Sequence, residues 1–279
     1  DPSDAAQWRV ENRSRTVASN QGEYVDAYRD PTQRLIRIDA QLRVGSAAEP
    51  TSVSVPNPGN YLVQKFRTAL ANAGINVTSS TLVRTSPAPP GEPELAAIES
   101  PLLRELIIEA NQESNNVYAE ALLKTLGNVQ SPNNLNATES GIAAVKAALT
   151  PWGVNPNSYR MADGSGLSDR NRTSVEALVQ LLQGIIRSPE DANAFRNTLP
   201  VAGESGTLKN RFRGTAAQGR LRAKTGYISG AVALSGYLTP PNHPQLVLSI
   251  IVNYSDVSLS EVRRAVDDVV LVLTRLRSC

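Results

Sequence analysis

Three short stretches carry side chains that could act on a substrate. Lys224-Thr225-Gly226 places an ammonium, a hydroxyl and a residue without a side chain in a row. The ammonium supplies charge, the hydroxyl can donate to a carboxylate, and glycine lets another backbone come close. That is the chemistry of an anion-recognising strand edge, though a lysine that merely ends a strand looks the same. Ser114-Asn115-Asn116 sets a serine and an asparagine two apart. In an extended segment both would lie on one side, where the hydroxyl relays a proton and the amide grips a carbonyl. Ser131-Pro132-Asn133 repeats that spacing in what reads as a turn after Gly127, and Ser114 has an alternative use as a helix cap.

His243, the sole histidine, sits in Pro241-Asn242-His243-Pro244, a turn between strands. That position argues against a Ser-His-Asp or Cys-His nucleophile system, so hydrolysis here would need another base, and lysine is the natural one. A single cysteine, Cys279, beside a single histidine excludes a nitrogen–sulfur metal cluster and an internal disulfide. No metal and no cofactor are expected.

These groups need a scaffold. With 41% hydrophobic and 19% charged residues, the 279-residue chain is an ordinary globular sequence, not a disordered tail or a coiled coil. The net charge of +2 hides an uneven distribution. Seven glutamates lie between Pro90 and Lys124, whereas Ser205–Ser255 contains no acid and holds Lys209, Arg211, Arg213, Arg220, Arg222 and Lys224. A cleft fed by that basic stretch attracts anions; the other reading is a solvated basic face paired with the acidic helices. Nucleic-acid binding is disfavoured, since only Phe212 and Tyr227 interleave the cations. No apolar run reaches the 18 residues of a membrane span. The chain opens Asp1-Pro2 without a signal peptide, from which an N-terminus cut by processing, cloning or incomplete sequence is expected.

Residues 1–57 read as the strand-rich remnant of an inserted small domain, with Ile36, Ile38, Ala40 and Leu42 alternating, closed by the Pro- and Ser-rich stretch Pro50–Pro58. Residues 58–279 turn helical. Leu62, Phe66, Ala69, Leu70 and Ala73 share a face, and a short strand at Asn76–Arg84 and a loop at Ser86–Pro93 follow. Further helices are predicted at Leu102–Asn111, Val117–Leu126 (stopped by Gly127), Ser140–Leu149 and Ser174–Arg187, the last capped by Thr173 with Glu176. Three strands, Arg220–Lys224, Gly230–Leu238 and Gln245–Asn253, precede a closing helix striped by Val262, Val266, Val269, Val270 and Leu273. The expected class is α+β: an antiparallel sheet packed by helices beside a helical cluster.

Several blocks follow one another in order: Ser114-Asn115-Asn116 with its helix, Asp163-Gly164-Ser165-Gly166-Leu167-Ser168, Leu199-Pro200-Val201-Ala202-Gly203, Gly206-Thr207-Leu208-Lys209-Asn210-Arg211 and Gly219–Gly226, then Ser229-Gly230 and Leu234-Ser235-Gly236-Tyr237. Together, over roughly Asn60–Val272, they resemble the penicillin-binding D-Ala-D-Ala carboxypeptidase/endopeptidase family of low-molecular-mass class C. The resemblance implies the penicillin-binding transpeptidase-like fold and acyl-enzyme chemistry on peptidoglycan peptides ending in D-Ala-D-Ala, with β-lactams as inhibitors. It implies a place outside the cytoplasmic membrane, in the periplasm or cell envelope. By the same resemblance Ser114 relays protons and Asn116 holds the substrate amide. Lys224 serves the anionic site, Thr225 binds the terminal carboxylate beside Gly226, and the Tyr227 N–H forms half of an oxyanion hole.

One motif of that family is absent. Three residues before Lys65, Lys124, Lys146, Lys209 and Lys224 stand Leu62, Ala121, Ala143, Gly206 and Leu221, so no Ser-x-x-Lys nucleophile exists in this sequence. The chain alone is therefore expected not to acylate, and Ser165 has no nameable base beside it and reads as part of a turn. Two alternatives stay open: a non-catalytic peptidoglycan-binding module, or a β-lactamase or esterase on the same fold.

Overall fold

The computed structural model describes residues 8–30, 32–46, 53–80, 91, 93–94, 96–132, 134–228, 230–254 and 256–278, without the side chains of 189–191. Ser229, Cys279 and most of the loop expected at Ser86–Pro93 lie outside the described residues. The chain divides into two compact units, Asp1–Ala96 and Ala97–Cys279.

In the first unit, β4 (Leu35–Arg43) is the central strand of a small sheet. On one edge it pairs in parallel with β1 (Arg9–Asn12) and then β2 (Arg15–Val17); on the other it pairs antiparallel with β3 (Tyr24–Arg29). Leu35 and Ala40 are its buried residues. A helix, α1 (Pro58–Asn72), follows, started by Asn57, whose side chain accepts from the Asn60 N–H, and by Pro58 at the first helical position. The boundary expected at residue 57 thus lies inside this unit. The apolar face read from the sequence is present but uncovered, with Leu62 68% and Phe66 62% exposed. Of the strand expected at Asn76–Arg84, residues 76–80 are described and are not a strand.

The second unit is built on a three-stranded antiparallel sheet, β7 (Leu221–Ile228), β8 (Ala231–Leu238) and β9 (Leu246–Asn253), in that order. Strand alternation gives it two faces. Leu221, Ala223, Leu234, Leu238 and Leu248 meet Val262, Val266 and Val270 of α7 (Leu259–Leu273) in the main core. Each fully buried valine contributes about 1.5 kcal/mol or more. Val269, expected in the same stripe, sits at its rim and is 48% exposed. Ser258 starts α7 with a capping box to Glu261. On the opposite face Tyr237 packs with Leu182 and Leu199.

Beside the sheet stand α2 (Leu103–Gln112), α3 (Asn116–Gln130), α4 (Ala137–Leu149), α5 (Val175–Ile186) and α6 (Pro189–Thr198); a two-residue ladder of β5 (Tyr159–Arg160) and β6 (Arg172–Thr173) precedes α5. Two local expectations change. Gly127 does not end α3: a Cβ there would lie 1.9 Å from the Ala137 carbonyl oxygen and 2.7 Å from the Gly141 nitrogen. The glycine is used where α3 and α4 cross in backbone contact, not to stop the helix. The cap of α5 is Ser174, whose side chain accepts from the Ala177 N–H, one residue later than the expected Thr173.

Candidate active site

The Ser114 loop owes its place to the last turn of α2. Asn111 donates to the Thr198 hydroxyl at 2.7 Å, and Gln112 donates to the Leu199 carbonyl at 2.8 Å. Gly206 packs so tightly on this turn that a Cβ would lie 2.5 Å from Gln112 Oε1. The clamped segment runs along β7, with the Ala202 N–H on the Leu221 carbonyl at 3.0 Å and the Ala223 N–H on the Pro200 carbonyl at 3.1 Å. The loop between α2 and α3 is thereby delivered to the middle of β7.

Within the loop, Ser114 takes a left-handed backbone conformation, φ 56°. For a non-glycine residue this costs on the order of 1 kcal/mol, and such strain gathers at functional sites. Asn115, not Ser114, caps α3, accepting from the Val117 and Tyr118 N–H groups at 3.2 and 3.3 Å. Asn116 is the first residue of α3 and half-buried. The segment is thus a turn into a helix, which corrects the extended geometry expected for Ser114 and Asn116. Among the described residues no hydrogen bond joins Asn116 to Ser114 or Lys224.

Lys224 brings the loop and the strand together. Its Nζ donates to Ser114 Oγ at 2.7 Å and to the Thr225 carbonyl at 2.8 Å. Burial of the ammonium lowers its pKa below the ordinary lysine value. Thr225 Oγ1 donates to Thr207 Oγ1 at 2.8 Å. The tripeptide does not end a strand as the sequence suggested, because β7 continues to Ile228.

Leu221 and Ala223 turn their backbone groups away from β8, so by alternation Thr225 and Tyr227 do the same. The covering segment stops at Ala223, and among the described residues no strand pairs with the edge beyond it. Gly226 opposes Ala233, where a Cβ would sit 3.2 Å from the alanine Cβ. Tyr227 is 57% exposed, and its ring lies under the Arg263 guanidinium of α7, whose carbon is 5.3 Å from the centroid. A half-buried cation, two hydroxyls and backbone N–H groups that no strand among the described residues pairs therefore line one open edge. Such an edge can pair with an extended peptide and hold its carboxylate.

Asp163-Gly164-Ser165-Gly166 is closed upon itself. Asp163 accepts from the Gly166 and Ser168 N–H groups at 2.8 and 2.9 Å and from Asn171 at 2.9 Å. Partial burial pushes its pKa up, but these hydrogen bonds outweigh it and leave the carboxyl below its ordinary value. The Gly164 N–H donates to Glu120 at 2.7 Å, and Ser165 Oγ accepts from Leu167. His243 stays on the β8–β9 turn, its Nδ1 2.9 Å from the Pro244 carbonyl oxygen. Arg211 of the basic stretch pairs with Asp267 of α7, not with the acidic helices.

The sequence reading passed over Gln112 and Thr207. Thr207 stands in Gly206-Thr207-Leu208-Lys209-Asn210-Arg211, whose order alone assigns it no role, and a glutamine ending a helix carries no signal of its own. No helix among the described residues is long and apolar enough to cross a membrane.

A family model described as D-Ala-D-Ala carboxypeptidase 3 (S13) matches residues 1–273. A D-alanyl-D-alanine carboxypeptidase of Actinomadura sp. (strain R39) is 34% identical over 250 residues, covering 88% of this chain and 46% of that protein. Carboxypeptidase DacB of Mycolicibacterium smegmatis is 30% identical over 240 residues, covering 84% and 50%. In fold, the chain is similar to penicillin-binding protein 4 (dacB) from Haemophilus influenzae, solved in complex with a β-lactam, with TM-score 0.68 and 21% identity over 95% of this chain and 62% of that one. The chain spans about half the length of the curated relatives it matches.

Proposed function

Because the chain belongs to the D-Ala-D-Ala carboxypeptidase 3 (S13) family, we propose that the Ser114–Lys224 site is half of the active site of a serine-type D-Ala-D-Ala carboxypeptidase/endopeptidase. The observation that carries this is the 2.7 Å hydrogen bond from Lys224 Nζ to Ser114 Oγ, across 110 residues of sequence. The substrate is a peptidoglycan peptide ending in D-Ala-D-Ala, laid along the open edge of β7. Thr225 holds its terminal carboxylate, Gly226 admits its backbone, and the Tyr227 N–H supports the carbonyl oxygen as negative charge develops. Asn116 holds the substrate amide. Ser114 passes a proton between Lys224 and the departing D-Ala amine, and the lowered pKa of Lys224 eases that exchange.

The acylated serine belongs to a Ser-x-x-Lys motif that this sequence does not contain. Residues 1–57 read as the end of an inserted β-rich domain and 58–279 as part of the catalytic domain. The complete enzyme works outside the cytoplasmic membrane, in the periplasm or cell envelope, and β-lactams inhibit it by acylating its serine. A labelled D-Ala-D-Ala peptide and a labelled penicillin test the proposal. The peptide binds the chain reversibly, binding is lost in Lys224→Ala, and no covalent penicillin adduct forms. Equal binding of an L-Ala-L-Ala peptide, or indifference to Lys224, overturns the site; a covalent adduct overturns the absent nucleophile.

A further inference from the structure

The sheet face that carries Lys224 continues toward the start of β7 and meets a second group of cations. Arg222 lies on that face two residues before Lys224, about 7 Å along the strand, and Arg220 immediately precedes the strand. The floor is Tyr237, the cross-strand partner of Arg222. Arg196, in the last turn of α6, stands over the Tyr237 ring with its guanidinium carbon 5.7 Å from the centroid. With Thr239 and Gln245 these residues line a cavity of about 260 Å³.

The cavity is strongly cationic, with one carboxylate beside its Gly219 wall, where a Cβ would lie 2.7 Å from Glu204 Oε1. Among the described residues none of its three arginines pairs with a carboxylate. Arg196 Nε is buried without a hydrogen-bond partner, and the acid-free stretch Ser205–Ser255 supplies every other lining residue. Buried donors that the protein leaves unanswered invite an acceptor from outside. Thr239 and Gln245, joined at 3.3 Å, add a hydroxyl and an amide at the rim.

We propose that this cavity is an anion site for a phosphate-class oxyanion, separate from the Lys224 edge. A monocarboxylate would leave most of the positive charge unmet. A phosphoryl dianion offers three or four oxygens and takes the forked contacts that guanidiniums make best. The same chemistry is presented by free phosphate and by a phosphoryl group on an organic carrier.

Calorimetric titration of the chain with inorganic phosphate, glycerol 3-phosphate and acetate tests this. Phosphate or its ester binds at least tenfold more tightly than acetate, and preference between the two phosphates tells the free anion from the carried group. Arg196→Gln and Arg220→Gln each weaken phosphate binding tenfold or more, while Lys224→Gln changes it less than twofold. Arg220 is exposed, so its variant keeps the test usable if Arg196→Gln does not fold. Acetate equal to phosphate, unchanged affinity in the folded arginine variant, or loss of binding in Lys224→Gln overturns the site.

Discussion

The two halves of β7 use one strand edge in opposite ways. From Leu221 to Ala223 the edge is covered by residues 200–202, and both of those strand residues are buried. From Thr225 to Ile228 no strand covers it among the described residues, and Tyr227 and Ile228 are exposed. An uncovered edge invites unwanted pairing, and chains ordinarily blunt it. Here the cover stops one residue short of Lys224. The first half is governed by fit and the second by access, so an added methyl group should be intolerable in one and tolerated in the other.

The most severe test lies in the covered half. Gly236 faces Ala223, and a Cβ there would lie 2.2 Å from the Arg222 carbonyl oxygen and 2.6 Å from the Ala223 Cα. Because the obstacle is backbone, Gly236→Ala should destabilise by about 3 kcal/mol or more in urea unfolding. A loss below about 1 kcal/mol would break the contrast between the halves.

Tyr237→Phe probes the buried polar contact beneath the same half. The hydroxyl donates to the Leu182 carbonyl at 2.9 Å, and its removal should cost about 1–2 kcal/mol. Burial, partly offset by Arg196, raises the phenol pKa to about 12. The unfolded phenol ionises near 10, so the unfolded state loses its proton first and stability falls as pH rises from there toward 12. That fall should be smaller in Tyr237→Phe, as denaturation across this window would register.

In the open half, Gly226→Ala meets only the Ala233 Cβ at 3.2 Å. Its stability cost should stay under about 1 kcal/mol, yet D-Ala-D-Ala peptide binding should weaken at least fivefold. Unchanged peptide binding would mean that access along this edge is not what the glycine provides.

What was legible in the sequence follows the same division. Alternation and helical periodicity placed β7, β8, β9 and α7 within a few residues, because a face packed on a core leaves a pattern in the chain. Ser114, Lys224 and Thr225 were singled out by motif order, and the structure brings the first two into contact. What brings Ser114 to Lys224 left no such trace: Asn111 and Gln112 reach Thr198 and Leu199 across 87 residues. Helix α6 was missed for a related reason, since Pro189–Thr198 is mostly polar and owes its place to Phe195 and Arg196 packing by Tyr237 and to Thr198 accepting from Asn111. Gly127 was misread because a helix-stopping glycine and a helix-crossing glycine are the same letter; only the partner, Gly141, tells them apart.

The smallest expected effect concerns Lys224 itself, at the junction of the halves. Its pKa is lowered by burial, so between the folded value and the unfolded value near 10.5 the unfolded state binds more protons. The sign follows: the charged lysine costs stability at neutral pH, and the cost is relieved as pH rises toward 10.5. Lys224→Met removes that dependence. The difference in unfolding free energy between parent and variant should therefore narrow or shift in the parent's favour as pH rises from 7 to 10. Taking the difference cancels the other titrating groups, Tyr237 included. A difference flat with pH would mean that Lys224 is solvated like a surface lysine. In that case the 2.7 Å contact with Ser114 would not be held in a desolvated site, and the cover over β7 would have no hold on the chemistry beside it.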